Sequence, residues 1–518
     1  MVTTESLLKL IHSISNTDKE RFIKESEGQS LEQPQYLKLF QLIAFDKNIS
    51  IEEIRNQAQK KLKITGLSDV QNYLFNRLLE FITNIPTGSN EEIIEGEIKK
   101  IQALLKRGLY QESHELLLKT KALCDEHEIS LLKCKILELE YRIEYTLNPQ
   151  KFKNFYDKLI NATMNETLKH LNLLKYRKNY AVLVSFYANE RLLKGKSTPA
   201  ELKEVVTDST FTNKSLAKTF KTKVLFYNAQ MCYANLSSDF IKEYKMGEEL
   251  LQLWHSHPEK MQQYKIAYFE VLLKQIIVSL YLQKFDNFNA LYKKFNGFSF
   301  VVSYEKTLLH IYQHYIEITI CLLKGDVKNA ERLVKKFKDA YEDYYKETSN
   351  HTHLIRLELL FAQVYFISGD YKMVYKHIQF IQDNYAQNKN SEIYAFTKIF
   401  NLIIEYETNK MVNLEYSLRN TKYYFQKYNE LNFLESCLVK MIKNLFNAYS
   451  HEEKINVLKE TKNELKKNMD NSTLYSLSFG LDIYAWIESK ILNKPMPLIL
   501  DEKSKSQYPD IFKLSLVL

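Results

Sequence analysis

The stretch Leu354 to Asn384, LIRLELLFAQVYFISGDYKMVYKHIQFIQDN, decides the fold. Leu354, Leu357, Phe361, Val364 and Tyr365 recur at three- and four-residue steps, so they line one face of a helix. Gly369 ends that helix, because a residue without Cβ enters the left-handed conformation after the last turn without steric cost. Asp370 then offers an acceptor to the first amides of a second helix. On that helix Tyr371, Val374, Tyr375, Ile378 and Ile381 form another stripe. Two stripes meeting across the Ser368-Gly369-Asp370 corner predict an αα-hairpin.

The same outline precedes it at Leu308 to Phe337, with Gly325-Asp326 at the corner and Ala330, Leu333, Val334 and Phe337 on the second helix. Another copy lies within Ile101 to Ala122, around Gly108, Tyr110 and Ser113. Fainter corners stand at Asn235 to Phe240, Gln283 to Asp286 and Thr408 to Lys410. The Gly-Asp corner, the aromatic or Val directly after it and a small residue such as Ala330 at the helix contact together resemble a tetratricopeptide-type repeat. The spacing is looser than in that family: Gly325 and Gly369 are 44 residues apart, and Gly369 and Asn409 are 40 apart, against a period of about 34. The helices are also longer, and the family's large aromatic in the first helix and Pro after the second are not consistently present. The resemblance covers roughly residues 90 to 470. It implies an all-α fold, a right-handed α-solenoid of antiparallel helix hairpins with an N-terminal helical cap.

Such an array binds a protein or peptide along the concave face lined by the first helix of each hairpin. Tyr312, Tyr315 and Thr319 in one unit and Arg356, Leu359 and Gln363 in the next occupy matching positions relative to their Gly corners. Tyr and Arg are favoured interface anchors, so these six residues form the expected partner-binding groove. Most of the 36 tyrosines are expected to fill the core between long helices.

Composition supports the class. Gly 11 and Pro 8 in 518 residues leave few helix breakers. A chain of this length has a prior of about three domains, but stacked repeats can form one continuous body. The net charge of +9 invites a nucleic-acid or membrane-surface reading. Only ten of the 72 basic residues are Arg, the better bidentate ligand for phosphate and guanine, and the lysines are interspersed with acids. Nucleic acid is therefore an unfavoured partner. Cys124, Cys134, Cys232, Cys321 and Cys437 stand far apart without metal or redox spacing. The N-terminus lacks a basic leader with a cleavage site, and no run approaches about 18 uncharged apolar residues. A cytoplasmic protein without a membrane span is expected.

Three regions follow. Residues 1 to 88 read as five short helices, roughly 4 to 14, 17 to 26, 35 to 45, 50 to 62 and 68 to 84, forming a small bundle or an irregular cap. Ser50-Ile-Glu-Glu53 is a capping box, and Asn84 to Asn90 is the expected linker. As a helix-turn-helix reader this block fits badly. The connection between Leu62 and Ser68 is too long, and the following helix opens with Asp69 and is mainly apolar. Residues 90 to 470 carry the repeats, and 471 to 518 a capping helix and tail. On the capping helix Phe479, Ile483, Trp486, Ile487 and Ile491 share a face; Pro495 and Pro497 are expected to stop helix formation, leaving an extended tail whose apolar end can pack on the body or occupy a partner's groove, with packing the favoured use.

Chemistry is sparse. Lys194-Gly-Lys-Ser-Thr198 imitates the end of a phosphate loop, but Glu190 stands where the first Gly belongs and a helix precedes it. His310, His314 and Glu317 have metal-capable spacing without a third strong ligand. No Gly-rich loop, nucleophile elbow or paired metal motif appears, so no catalytic residue, metal or cofactor is assigned. The expectation is a non-catalytic protein- or peptide-binding scaffold. The first alternative is a nucleic-acid-linked regulator with residues 1 to 88 as reader and the repeats as sensor or dimeriser; the second is an enzyme whose site lies in the groove.

Overall fold

The structure, a computed structural model, describes the chain except residues 1–2, 28–32, 47–48, 63, 65, 85–89, 151, 189–198, 301–302, 348–351, 385–388, 390, 429–430, 471–473, 475–477 and 515–518. The centre of the expected linker, the phosphate-loop imitation at 194–198 and the last four residues of the tail lie outside the described residues. Among those described, every regular element is a helix and no strand is present. The chain divides into two compact units, Met1–Ile160 and Asn161–Leu518.

The first unit opens with α1 (Thr4–Ser13), α2 (Asn16–Glu27), α3 (Gln35–Ala44), α4 (Ile51–Lys60) and α5 (Leu67–Asn84). Each lies within two residues of the span read from apolar periodicity. Their stripes meet in one core of Leu7, Ile11, Phe22, Phe40, Ile43, Ile54, Leu74, Leu78 and Phe81. The Ser50 hydroxyl accepts from the Glu53 amide at 3.2 Å and the Glu53 carboxylate accepts from the Ser50 amide at 2.9 Å, which closes the capping box. Then α6 (Asn90–Leu105), α7 (Tyr110–Glu126) and α8 (Ser130–Leu147) pack around Ile94, Ile101, Leu117, Ile136 and Ile143.

The second unit contains most of α9 (Phe152–Ala188), then α10 (Ala200–Thr207), α11 (Ser209–Thr212), α12 (Phe220–Leu236), α13 (Phe240–His255), α14 (Pro258–Gln263), α15 (Lys265–Tyr281) and α16 (Phe288–Asn296). It continues with α17 (Ser303–Leu323), α18 (Val327–Glu347), α19 (Thr352–Ser368), α20 (Tyr371–Asn384), α21 (Glu392–Glu407), α22 (Met411–Tyr428), α23 (Phe433–Asn447) and α24 (His451–Asn468). It ends with α25 (Ile483–Leu492), α26 (Met496–Gln507) and a 3-10 turn at Pro509–Lys513.

One corner design recurs. At Gly369 (φ +86°) the amide donates to Phe366 O at 3.2 Å, and the Asp370 amide reaches Tyr365 O at 2.9 Å. These two bonds satisfy carbonyls that the end of the helix would otherwise leave open. The Asp370 carboxylate then accepts from the Met373 amide at 3.2 Å, capping α20. Gly325 (φ +72°) repeats the pattern with Leu322 and Cys321, and Asp326 caps α18 through Asn329. The same pair of backbone bonds closes corners at Gly108, Glu128, Ser238, Gln283 and Asn409, all with positive φ. At four of these corners, Glu128, Ser238, Gln283 and Asn409, a polar residue rather than glycine takes the left-handed conformation.

Consecutive helices pack in pairs, α12 with α13, α17 with α18, α19 with α20, α21 with α22 and α23 with α24. First helices also pack on one another, α15 on α17, α17 on α19, α19 on α21 and α21 on α23. The C-terminal segment corrects the sequence reading. Pro495 is the N-cap of α26 and Pro497 lies in its first turn, where a missing amide costs nothing because that donor has no partner within the helix. This helix packs on α17 and α19, and beyond it Tyr508, Ile511 and Leu514 are buried with Phe269, Phe285 and Phe288. The capping helix itself starts at Ile483, because Phe479 and Gly480 take positive φ and Asp482 caps the amide of Ala485 at 2.9 Å.

Candidate functional site

The six residues of the expected groove lie on α17 and α19. Helix α19 is surrounded by α17, α18, α20, α21 and α26, so Leu359 and Gln363 are buried. The Gln363 amide nitrogen donates to Phe479 O at 3.2 Å. Tyr315 is buried with its hydroxyl 3.0 Å from that of Tyr281, and the Thr319 hydroxyl donates to Tyr315 O at 2.7 Å. Tyr312 is half-buried against two core clusters. Arg356 is half-buried and points elsewhere, donating to the Tyr187 hydroxyl at 3.4 Å. The structure brings Tyr315 and Thr319 together, but the six share no open face: four are enclosed by packing.

The charges of half-buried Arg356 and Lys274 act on buried Glu243. Burial pushes the Glu243 carboxyl up to about 7, opposed by a hydrogen bond from Asn235 at 2.9 Å and by the charges of Lys274 and Arg356. His314 turns its Nδ1 to the His310 carbonyl at 2.9 Å, and buried Glu317 accepts from the Tyr292 hydroxyl at 2.6 Å. Among the described residues no group of three His, Cys, Asp or Glu side chains is arranged to hold a metal. None of the described helices is long and apolar enough to cross a membrane.

Several cavities open on the second unit, the two largest of them about 910 and 690 Å³. The larger, about 910 Å³, lies between the Gly325 and Gly369 corners, the end of α21, the start of α24 and the α25–α26 connection. At its wall Glu407 accepts from Trp486 Nε1 at 2.7 Å, from Lys490 at 2.5 Å and from the Tyr371 hydroxyl at 3.2 Å. This carboxylate is thus committed to holding the C-terminal segment.

The second, about 690 Å³, is a groove between α22 and α23. Both walls have clear causes. Helix α22 leaves the Asn409 corner, and α23 starts at a capping box in which Asn432 and Glu435 exchange bonds of 2.9 Å with each other's amides. Its floor is apolar, with Leu418, Phe425, Leu431, Val439 and Phe446. Arg419, Lys422 and Lys443 stand at the rim and are exposed; Arg419 pairs with Glu415 at 3.5 Å, while among the described residues neither lysine is in an ion pair. Outside the groove, α22 carries further exposed apolar side chains, with Val412, Tyr416 and Tyr423 85%, 63% and 63% exposed. An isolated exposed apolar residue needs no explanation, but a contiguous patch with a charged rim is the mark of a binding surface. The sequence signal that would have found it is on α22 itself, whose apolar residues Val412, Leu414, Tyr416, Leu418, Tyr423 and Phe425 go round more of the helix than one core-facing stripe requires. Comparison of the chain with known protein families, curated proteins and solved structures finds no match.

Proposed function

We propose that the protein is a polypeptide-binding helical-repeat scaffold, a right-handed α-solenoid of tetratricopeptide-like antiparallel hairpins, that takes up an acidic amphipathic helix of a partner protein. The groove between α22 and α23 carries this reading. Its apolar floor suits anchors at i, i+3 or i+4 and i+7 of a bound helix, and its lysine and arginine rim suits Asp and Glu on the flanks. Three buried anchors at about 2 kcal/mol each contribute about 6 kcal/mol before the costs of association. The rim charges set orientation and on-rate more than affinity. The repeated corners and the stacking of first helices support the solenoid part of the reading. The cysteines stand singly on different helices, as suits a reducing cytoplasm.

The test is selection of helical peptides from a displayed library on the purified chain, with counter-selection on a Leu418→Glu, Val439→Glu variant shown by circular dichroism to be folded. Peptides carrying an apolar stripe flanked by acids, binding the wild type and not the variant, support the reading. Peptides that bind both proteins equally, or that lack the stripe, contradict it.

A further inference from the structure

Away from that groove, α18, α19 and α20 bring three residues into a line. Glu358 on α19 and His377 on α20 are 3% and 2% exposed, and the His377 Nδ1 lies 2.5 Å from a Glu358 carboxylate oxygen. On the other side of the ring, Nε2 lies 3.0 Å from the Lys338 Nζ of α18. Tyr365 stacks on the imidazole with ring planes 9° apart, and Phe361 meets it edge-on at 75°. The ring is therefore fixed in both tilt and position. A carboxylate beside Nδ1 keeps a proton there, which leaves Nε2 to share one proton with the lysine amine.

Lys338 is the outer member of this line and the only one of the three that reaches solvent to any extent, since it is half-buried while the other two are enclosed. All three border a cavity of about 420 Å³, with Phe380 on its wall and Lys376 and Asp383 at its exposed mouth. Burial draws the Lys338 ammonium below the usual lysine range; Lys376 adds to that and Glu358 opposes it. An amine whose charged form is disfavoured by burial, with an imidazole nitrogen held against it and a cavity in front of it, has the elements of an activated nucleophile.

We propose that Lys338 is a carbonyl-reactive amine that captures a small aldehyde or 2-oxo acid in this cavity as a reversible imine. Lys338 Nζ attacks the carbonyl carbon and forms the C–N bond while the carbonyl π pair moves to oxygen. Nitrogen sheds two protons in turn, and His377 Nε2 carries each to oxygen. The first converts the alkoxide into the carbinolamine hydroxyl; the second lets that hydroxyl leave as water as the C=N bond forms. Nothing is oxidised or reduced, and hydrolysis reverses every step. His377 is a positioning residue and proton carrier held by Glu358, and Lys376 supplies a cation for the carboxylate of an oxo acid, against which Asp383 works. This is capture of a ligand and goes beyond the scaffold reading without depending on it.

The experiment treats the full-length protein at pH 7 with sodium cyanoborohydride and limiting butanal or, separately, 2-oxobutanoate, and maps the reduced adducts by peptide mass spectrometry. Lys335 and Lys336, exposed on the same helix, are the internal references. The expected result is one dominant adduct on Lys338, formed at least tenfold faster than on either reference. The site is expected to be lost in Lys338→Arg and slowed at least fivefold in His377→Gln, with the references unchanged. A faster reaction with 2-oxobutanoate assigns the oxo acid, and a faster reaction with butanal assigns the neutral aldehyde. Labelling of Lys338 no faster than Lys335 and Lys336 with both probes overturns the proposal, and because this reading uses the wild-type protein it stands even where a variant fails to fold.

Discussion

Trp486 Nε1 donates to the Glu407 carboxylate at 2.7 Å, across 79 residues of sequence, and the other carboxylate oxygen accepts from Lys490 and Tyr371. One nearly enclosed acid at the end of α21 thus ties the C-terminal segment to the helices before it. Hydrogen bonds to charged groups contribute about 1.5–3 kcal/mol each, and stranding their donors is costlier than never burying them. Glu407→Ala is expected to lose about 3 kcal/mol in urea denaturation, with Trp486 fluorescence shifting to the red and the first proteolytic cuts falling in residues 483–507.

Two glycine corners that look alike in sequence differ in surroundings. A Cβ on Gly325 would lie 2.4 Å from Pro497 O and 3.0 Å from Asp501 N, whereas a Cβ on Gly369 would meet nothing within 4 Å. Both substitutions to Ala carry the left-handed cost of about 1–2 kcal/mol. Gly325→Ala must also displace α26, at about 1–3 kcal/mol more. Its denaturation midpoint is expected to fall clearly below that of Gly369→Ala.

The buried Glu243 carboxyl, raised to about 7 mainly by burial, makes stability depend on pH. Between its unfolded value near 4.5 and about 7 the folded state holds the proton more tightly than the unfolded state. Stability from this group is therefore fully present below pH 4.5 and lost as pH rises through 7, by about 1.4 kcal/mol per pH unit and up to about 3 kcal/mol in all. Glu243→Gln, a stand-in for the protonated form, is expected to remove that loss. The difference in unfolding free energy between variant and wild type, measured from pH 4 to 8, should rise in favour of the variant as pH increases.

The α23 wall of the groove begins at its capping box. Asn432→Ala removes the acceptor for the Glu435 amide and is expected to cost about 1 kcal/mol in urea denaturation.

The sequence carried what is local. Apolar periodicity placed α1 to α5 nearly to the residue, and turn chemistry located six corners, including those where Ser238, Gln283 and Asn409 rather than glycine take the left-handed conformation. It missed the corner at Glu128, where no residue type announces a left-handed turn. It misread Pro495 and Pro497, because Pro both ends helices and begins them, and only the helix after it decides which. The six expected groove residues were placed by their distance from a corner, which says nothing about how many neighbours enclose α17 and α19. The Lys338, His377 and Glu358 line was invisible for the same reason. Its members are 39 and 19 residues apart on three helices, and only packing makes them adjacent.

The most direct test of the scaffold reading is site-specific photocrosslinking in the native lysate, with a photoreactive phenylalanine analogue at Phe446 in the groove and, as control, at exposed Leu498 on α26. Crosslinks to a defined polypeptide from position 446, suppressed by Leu418→Glu and absent from position 498, are the predicted result. Equal yields from the two positions, or no polypeptide crosslink at 446, would contradict it.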